Sequence, residues 1–371
     1  MKFACRREYL LAAFQTAATV VPTRSPKPIL KNVRIDVNAG SAIIMATDME
    51  VGIRIEVPEI EVETPGSFIA PVSVFGSILR ENSDEKLRIE SSSNGTVVFG
   101  ERSEFRMPFQ NPDEFPVVAS FGESAYHEVP AKLFRELIRR TVFATDQENS
   151  RYALGGVLLE MDEQKITGIA TDGRRLAKME GPAHAVGNHS TANAMTIVPT
   201  RAMNLMDKAL SNSDAEIQIA ARPNDILVRS SHATIYSRLV EGRFPRWRDV
   251  LPVRTESFKI DTAVGPLYSA LRQAAIFTDN ESRGIDFTFG EGNLQLRASV
   301  AEAGNSRVEL PVSYTGAPVT LALDNRYVAD FLRVLDPEKS IVVDFVDGES
   351  AALLTTDDGY GYVIMPLARD S

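Results

Sequence analysis

The chain has 371 residues, 44% hydrophobic and 24% charged, as expected of an ordinary globular protein of two or three domains. No apolar run approaches the roughly 18 residues that span a bilayer, and Met1-Lys2-Phe3-Ala4-Cys5-Arg6-Arg7 turns charged where a signal peptide would stay apolar. The single cysteine, Cys5, excludes an intrachain disulfide or a zinc-cysteine cluster, and a net charge of −10 excludes phosphate binding over the whole surface.

A reducing cytoplasm is the simplest setting for such a chain. Nucleic acid remains a partner only if basic residues gather on one face of an acidic body.

In chain order, Leu10, Leu11, Phe14, Ala17 and Ala18 share one helical face, and Val20-Val21-Pro22 ends that helix. Alternation predicts strands at Val33 to Val37, Ile43 to Met45 and Val51 to Val57. A second helix begins near Pro71, with Val74, Phe75, Ile78 and Leu79 together. Strands at Leu87 to Glu90 and Thr96 to Phe99 flank Asn94-Gly95, a hairpin signal, and Glu104 to Met107 follows.

The cycle restarts with a helix from Pro130 to Ala144. Strands at Gly156 to Met161 and Lys165 to Ala170 lead to a helix at Pro199 and strands near Glu216, Asp225 and Ala233. A third pass has helices at Pro266 and after Asp324, an N-cap residue, among strands that end at Gly361 to Met365.

Two signatures recur. Ala46-Thr47-Asp48 reappears as Ala170-Thr171-Asp172, and Phe115-Pro116 as Phe244-Pro245. The chain therefore divides into three repeats, residues 1–124, 125–254 and 255–371, each with two helices on antiparallel sheet. The fold class is α+β.

The predicted helix from Pro130 carries Lys132, Arg135 and Arg139 on one stripe, and other helices also carry arginines. If those helices share one side of the molecule, that side is basic. Catalytic patterns are weak. His127, His184, His189 and His232 lack metal-ligand spacing, and no serine or cysteine sits in a nucleophile elbow. One alternative is a metal-dependent phosphoesterase using Asp48, Asp172 and Asp357 or Asp358. Otherwise the chain reads as a non-catalytic binding protein or scaffold.

The motifs carry a resemblance. They are Met1-Lys2-Phe3 with Pro28-Ile29-Leu30, Arg151-Tyr152-Ala153-Leu154, Ala170-Thr171-Asp172-Gly173-Arg174-Arg175-Leu176, Leu239-Val240-Glu241-Gly242-Arg243-Phe244-Pro245, and Tyr362-Val363-Ile364-Met365-Pro366-Leu367. In this order the chain resembles the bacterial sliding clamps, beta subunits of DNA polymerase III. The resemblance implies three tandem clamp domains, each with two helices packed on curved antiparallel sheets, and a head-to-tail homodimeric ring. It implies a non-enzymatic processivity factor of the cytoplasm, with no cofactor, metal or membrane.

Implied partners are duplex DNA, the replicative polymerase catalytic subunit, the clamp loader and other proteins with clamp-binding motifs. Implied DNA-facing residues are Arg24, Arg80, Lys132, Arg135, Arg139, Tyr152 and Arg201. An implied peptide pocket takes Leu154, Thr171, Gly173, Arg175, Leu176, Pro245, Val250, Val363, Met365, Pro366 and Leu367. Phe105, Met107, Ile276 and Phe277 are expected at the dimer interface. Ala153 stands where a second tyrosine is common, and Asp249 where a basic residue is common. The tail after Leu367 runs slightly past the usual end.

Overall fold

The computed structural model describes residues 1–146, 153–192, 194–210, 215–278, 283–301 and 303–368. These form helices α1 (Arg7–Ala18), α2 (Val72–Glu81), α3 (Ala131–Thr141), α4 (Thr200–Ala209), α5 (Val264–Ala274) and α6 (Asn325–Arg333), with antiparallel sheets. The α+β class read from the sequence is the one observed. Two compact units result. The first comprises Met1–Arg135, Asp162–Gln164 and Ala183–Leu239, and the second Glu136–Met161, Lys165–Pro182 and Val240–Ser371. The middle repeat contributes to both.

In the first unit a nine-stranded sheet contains the pairing of Val51–Val57 with Ala233–Arg238, which links the first repeat to the second. A five-stranded sheet ends at the edge strand Glu104–Met107. Apolar alternation builds these strands. Val33, Ile35 and Val37 are buried, while Arg34 and Asp36 lie half-buried on the other face and pair at 2.7 Å. The Asn94-Gly95 signal makes the expected hairpin, with Gly95 at φ +125°. On the helical side Phe14 of α1 meets Phe75 of α2 edge-on at 5.2 Å. Gly76 permits this approach, since a Cβ there would stand 3.1 Å from the Phe14 ring.

In the second unit Arg175–Pro182 lies between Lys165–Thr171 and Tyr360–Ile364. That sheet continues through Ala352–Thr355 and Ser340–Phe345 to Phe258–Ala263. A four-stranded sheet runs Gly304–Pro311, Asn293–Val300, Gly284–Gly290 and Val319–Asp324. Asp324 caps α6 as expected, accepting from the Arg326 amide at 2.9 Å. Phe331 of α6 stacks on Tyr360 at 5.2 Å and on Tyr362 at 5.0 Å, and all three rings are buried.

Several strands are not evident in the sequence: Lys2–Arg6, Ile60–Thr64, Tyr126–Pro130, Arg175–Pro182, Phe258–Ala263 and Val319–Asp324. Lys2–Arg6, Tyr126–Pro130 and Arg175–Pro182 mix charged or small residues with apolar ones, Ile60–Thr64, Phe258–Ala263 and Val319–Asp324 are only five or six residues long, and pairing with neighbours fixes them instead. The helix expected over Pro130 to Ala144 is α only to Thr141, and Val142–Ala144 tightens to 3-10.

Candidate functional site

The strand Lys165–Thr171 ends in a turn that its own side chains hold. Thr171 Oγ1 donates to the Arg175 carbonyl at 2.6 Å and accepts from the Gly173 amide at 3.1 Å. Asp172 Oδ1 accepts from the amides of Arg174 at 3.0 Å and Arg175 at 3.1 Å. Gly173 takes φ +88°, the left-handed conformation in which a side chain would be strained.

Arg175 points inward from this turn. Its Nε donates to Asp172 at 3.0 Å, Nη1 to Asp330 at 2.8 Å and Nη2 to the Phe143 carbonyl at 2.7 Å. Its guanidinium lies 4.4 Å from the Tyr327 ring centre. The side chain is 9% exposed. Burial opposes its charge, but the Tyr362 hydroxyl, Asp330 and Asp172 more than offset that, so its pKa stands above the ordinary arginine value. Burial likewise pushes the Tyr362 phenol up. Arg175 is thus an internal brace joining the turn to α6, and its cation is met from within.

The chain's last strand completes the joint. Arg175 pairs with Ile364 and Leu176 with Val363. The Met365 amide donates to the Arg174 carbonyl at 3.0 Å, and the Leu367 amide to the Ala322 carbonyl at 2.8 Å. Leu176 and Val363, each 1% exposed, are core residues. Leu154 and Thr171 are also buried. The apolar surface belongs to Met365, 45% exposed, and Leu367, 38% exposed, with Pro366 half-buried between them.

Val250 is exposed and follows the 3-10 turn Trp247–Asp249. That turn is pinned by Glu160, which accepts from Trp247 Nε1 at 3.1 Å and from Arg248 at 2.6 Å. The Ala153 amide donates to the Arg243 carbonyl at 3.2 Å, tying the Leu154 segment to the Pro245 segment. Pro245 is half-buried and Gly173 exposed.

Among the basic residues singled out, Arg24, Arg80, Lys132, Arg139 and Arg201 are exposed and Arg135 is half-buried. Arg135 bonds Asp207 at 3.0 Å, and Arg201 bonds Asp48 and donates to the Val20 carbonyl at 2.9 Å. Tyr152 lies outside the described residues. Of the expected interface residues, Ile276 is 72% exposed and Phe105 half-buried, whereas Met107 is buried in its own chain. Phe277 packs on Gly304, where a Cβ would stand 2.7 Å from its ring.

The phosphoesterase alternative fails on its ligands. Asp48 Oδ1 accepts from the Glu50 and Val51 amides, and its Oδ2 from Arg201. Asp172 is held in the same way by its own turn and Arg175. Asp357 is exposed, and its neighbour Asp358 bonds Arg140 at 2.8 Å and Lys339 at 3.2 Å. Burial opposes the Asp358 charge, yet Arg140 and the Thr356 hydroxyl hold its carboxyl well below the usual range. Among the described residues no three His, Cys, Asp or Glu are grouped to hold a metal ion. His127 and His189 meet each other, Nδ1 to Nδ1 at 2.6 Å, a pairing their sequence spacing does not reveal.

Residues 1–119, 128–246 and 248–368 match the N-terminal, central and C-terminal domains of the DNA polymerase III beta subunit. The chain belongs to the DNA polymerase III beta subunit family. It is 29% identical over 372 residues to the beta sliding clamp of Pseudomonas aeruginosa, covering 99% of this chain and 100% of that one. Against the Chlamydia pneumoniae beta sliding clamp identity is 28% over 369 residues, covering 99% of each. The solved Pseudomonas aeruginosa sliding clamp bound to griselimycin superposes with a TM-score of 0.90, at 28% identity and over 100% of both chains.

The sequence marks Arg175 but not its cage of Asp330, Tyr327, Tyr362 and Phe143. Asp330 is 155 positions from Arg175. The local signal for that acid is an ordinary helix position in α6, so no periodicity marks it.

Proposed function

We propose that this protein is a DNA sliding clamp: a processivity factor that encircles duplex DNA and tethers the replicative polymerase and other DNA-processing proteins. The observation that carries this reading is the end-to-end match to all three domains of the beta subunit. The three domains are residues 1–124, 125–254 and 255–371, and the chain works without catalysing a reaction, in the cytoplasm.

Two protomers close head to tail into a ring. Two unpaired sheet edges support this, Glu104–Met107 and Gly304–Pro311, each bonded on one side among the described residues. Their charges are complementary, with Glu104 and Arg106 on one edge and Arg307 and Glu309 on the other. Phe105, Ile276 and Phe277 supply apolar area beside them. Arg24, Arg80, Lys132, Arg135, Arg139, Tyr152 and Arg201 face the duplex. A topologically held ring needs only weak phosphate contacts, and the acid partners of Arg135 and Arg201 temper theirs.

Short linear motifs of the polymerase, the clamp loader and other partners bind at the joint of Arg175–Pro182 with the final strand. Exposed Met365, Leu367 and Val250 take the apolar anchors, and the flexible Met365 side chain adapts to several of them. Leu154, Thr171, Leu176 and Val363 form the floor, with Gly173, Arg175, Pro245 and Pro366 around it.

Native mass and loading onto circular DNA test the reading together. The expected mass is twice the 40.7 kDa chain, with retention on closed circles and release on linearisation. A monomer at micromolar concentration that is not retained on circles would overturn it.

A further inference from the structure

The two strand joints share one plan, and one of them is hollow. Thr16 and Arg140 stand at the same step of α1 and α3, each ten residues past the end of the preceding strand. Ala233 pairs with Ile55, and Tyr360 with Met179, each of the latter seven residues beyond its Thr-Asp turn. Ala233 and Thr16 therefore occupy, in the first unit, the places of Tyr360 and Arg140 in the second.

In the second unit those places are filled. Tyr360 is 1% and Arg140 2% exposed, and the guanidinium lies 5.1 Å from the ring centre. Arg140 is neutralised by Asp358 at 2.8 Å and Glu136 at 2.5 Å. In the first unit, where Ala233 and Thr16 are small, a cavity of about 270 Å³ opens. Its walls include Tyr9, Ala13 and Thr16 of α1, Lys208 of α4, and Ile55 and Glu56 of the adjoining strand.

The charge balance differs as well. Glu180, next after Met179, receives Lys178 at 2.8 Å and Lys165 at 3.5 Å. Glu56, next after Ile55, is exposed and has no ion-pair partner among the described residues. The cavity thus lacks the counterparts of Tyr360 and Arg140, and a carboxylate without an ion pair among the described residues stands in its wall beside Tyr9 and Lys208. Lys208 on the wall disfavours a second positive charge on any occupant.

We propose that this cavity binds a small planar aromatic monocation, its ring over Ala233 and against Tyr9, its cationic group on Glu56. Ring burial supplies the apolar contact and the carboxylate selects the charge. This site is independent of the clamp reading.

Benzamidine, a phenyl ring joined to an amidinium, is the probe, with benzyl alcohol as its uncharged counterpart. Titration of the full-length protein by calorimetry should give one saturable benzamidine site per chain. Glu56→Gln should weaken benzamidine about tenfold while leaving benzyl alcohol unchanged. Ala233→Tyr restores the ring of the second unit and should abolish both, with the thermal midpoint at or above that of the unaltered protein. Should that variant fail to fold, Ala13→Leu fills the same space from α1. Absence of saturable benzamidine binding, or binding that survives a folded cavity-filled variant, would overturn the proposal, as would equal loss of both probes in Glu56→Gln.

Discussion

The chain makes the same turn twice and uses it differently. At Thr47-Asp48 and Thr171-Asp172 the hydroxyl donates to the carbonyl four residues on, at 2.8 and 2.6 Å, and the carboxylate accepts two backbone amides. Both turns pass through a left-handed residue, Met49 at φ +83° and Gly173 at φ +88°. Both launch a strand that pairs with a later repeat. The Ala-Thr-Asp motif is therefore a device for joining the strands of one repeat to those of the next.

What differs is the company. Val51 follows the first turn, and the neighbouring surface is the exposed Arg238 and Glu50. Arg175 follows the second and is caged, and the neighbouring surface is Met365 to Leu367. A buried brace beneath an exposed apolar rim suits peptide capture, and a charged rim over an aliphatic core does not. The proposed peptide site draws on the residues that the joint brings together.

Breaking the brace should have the largest effect. Arg175→Ala leaves Asp172 and Asp330, 16% and 24% exposed, without their shared cation, and removing one partner of a buried pair typically costs about 3–5 kcal/mol. Arg201→Ala removes the corresponding ion pair at the first turn, but that arginine is 54% exposed, so the expected cost is below about 1 kcal/mol. Urea unfolding of both variants, followed by far-UV dichroism, checks the contrast. Equal midpoints would mean that the cage adds nothing.

Floor and rim should separate next. Leu176→Ala empties a core position and should cost about 2–5 kcal/mol of stability. Met365→Ala should leave stability nearly unchanged but weaken a Gln-Leu-x-Leu-Phe peptide by more than about 1 kcal/mol. The single tryptophan, Trp247, lies three residues before Val250, so its fluorescence can report that titration. Full affinity in Met365→Ala would move the partner site elsewhere.

The left-handed residues give a smaller, opposite pair. Gly173→Ala should destabilise by about 1 kcal/mol, and Met49→Gly should be neutral or stabilising, because only glycine takes that conformation without strain. Denaturation midpoints that shift in the same direction would contradict the equivalence of the two turns.

Acid should distinguish the units last and least. The Ala221 amide donates to His189 Nε2, so His189 Nδ1–H donates to His127 Nδ1, and His127 Nε2–H to the Asp162 carbonyl. Burial lowers both pKa values, so the unfolded chain binds the extra protons. Stability of the first unit is then present above the ordinary histidine value of about 6.5 and falls as pH drops below it. His127→Phe should flatten that slope in pH-dependent unfolding, and an unchanged slope would remove the pair from the acid response.

Much of the fold was legible in local pattern. Helical spacing marked the six α-helices of the described residues, and alternation marked Asn32–Asn38 and Val51–Val57. Asn94-Gly95 and Asp172-Gly173 announced their turns, because the conformations needed there are ones that few residues take. Arg175–Pro182 was not legible as a strand, since Arg175, Lys178 and Glu180 break its alternation and pairing on both flanks holds it.

The sequence by itself determined the repeats, the helices and the turns, because each depends on residues within a few positions of one another. Only the tertiary structure decided which carboxylate Arg175 would meet, that Leu176 and Val363 are core while Met365 is surface, and that Tyr360 fills a space that Ala233 leaves open. These depend on chain paths that bring distant segments together, and burial is a property of that meeting which no single segment carries.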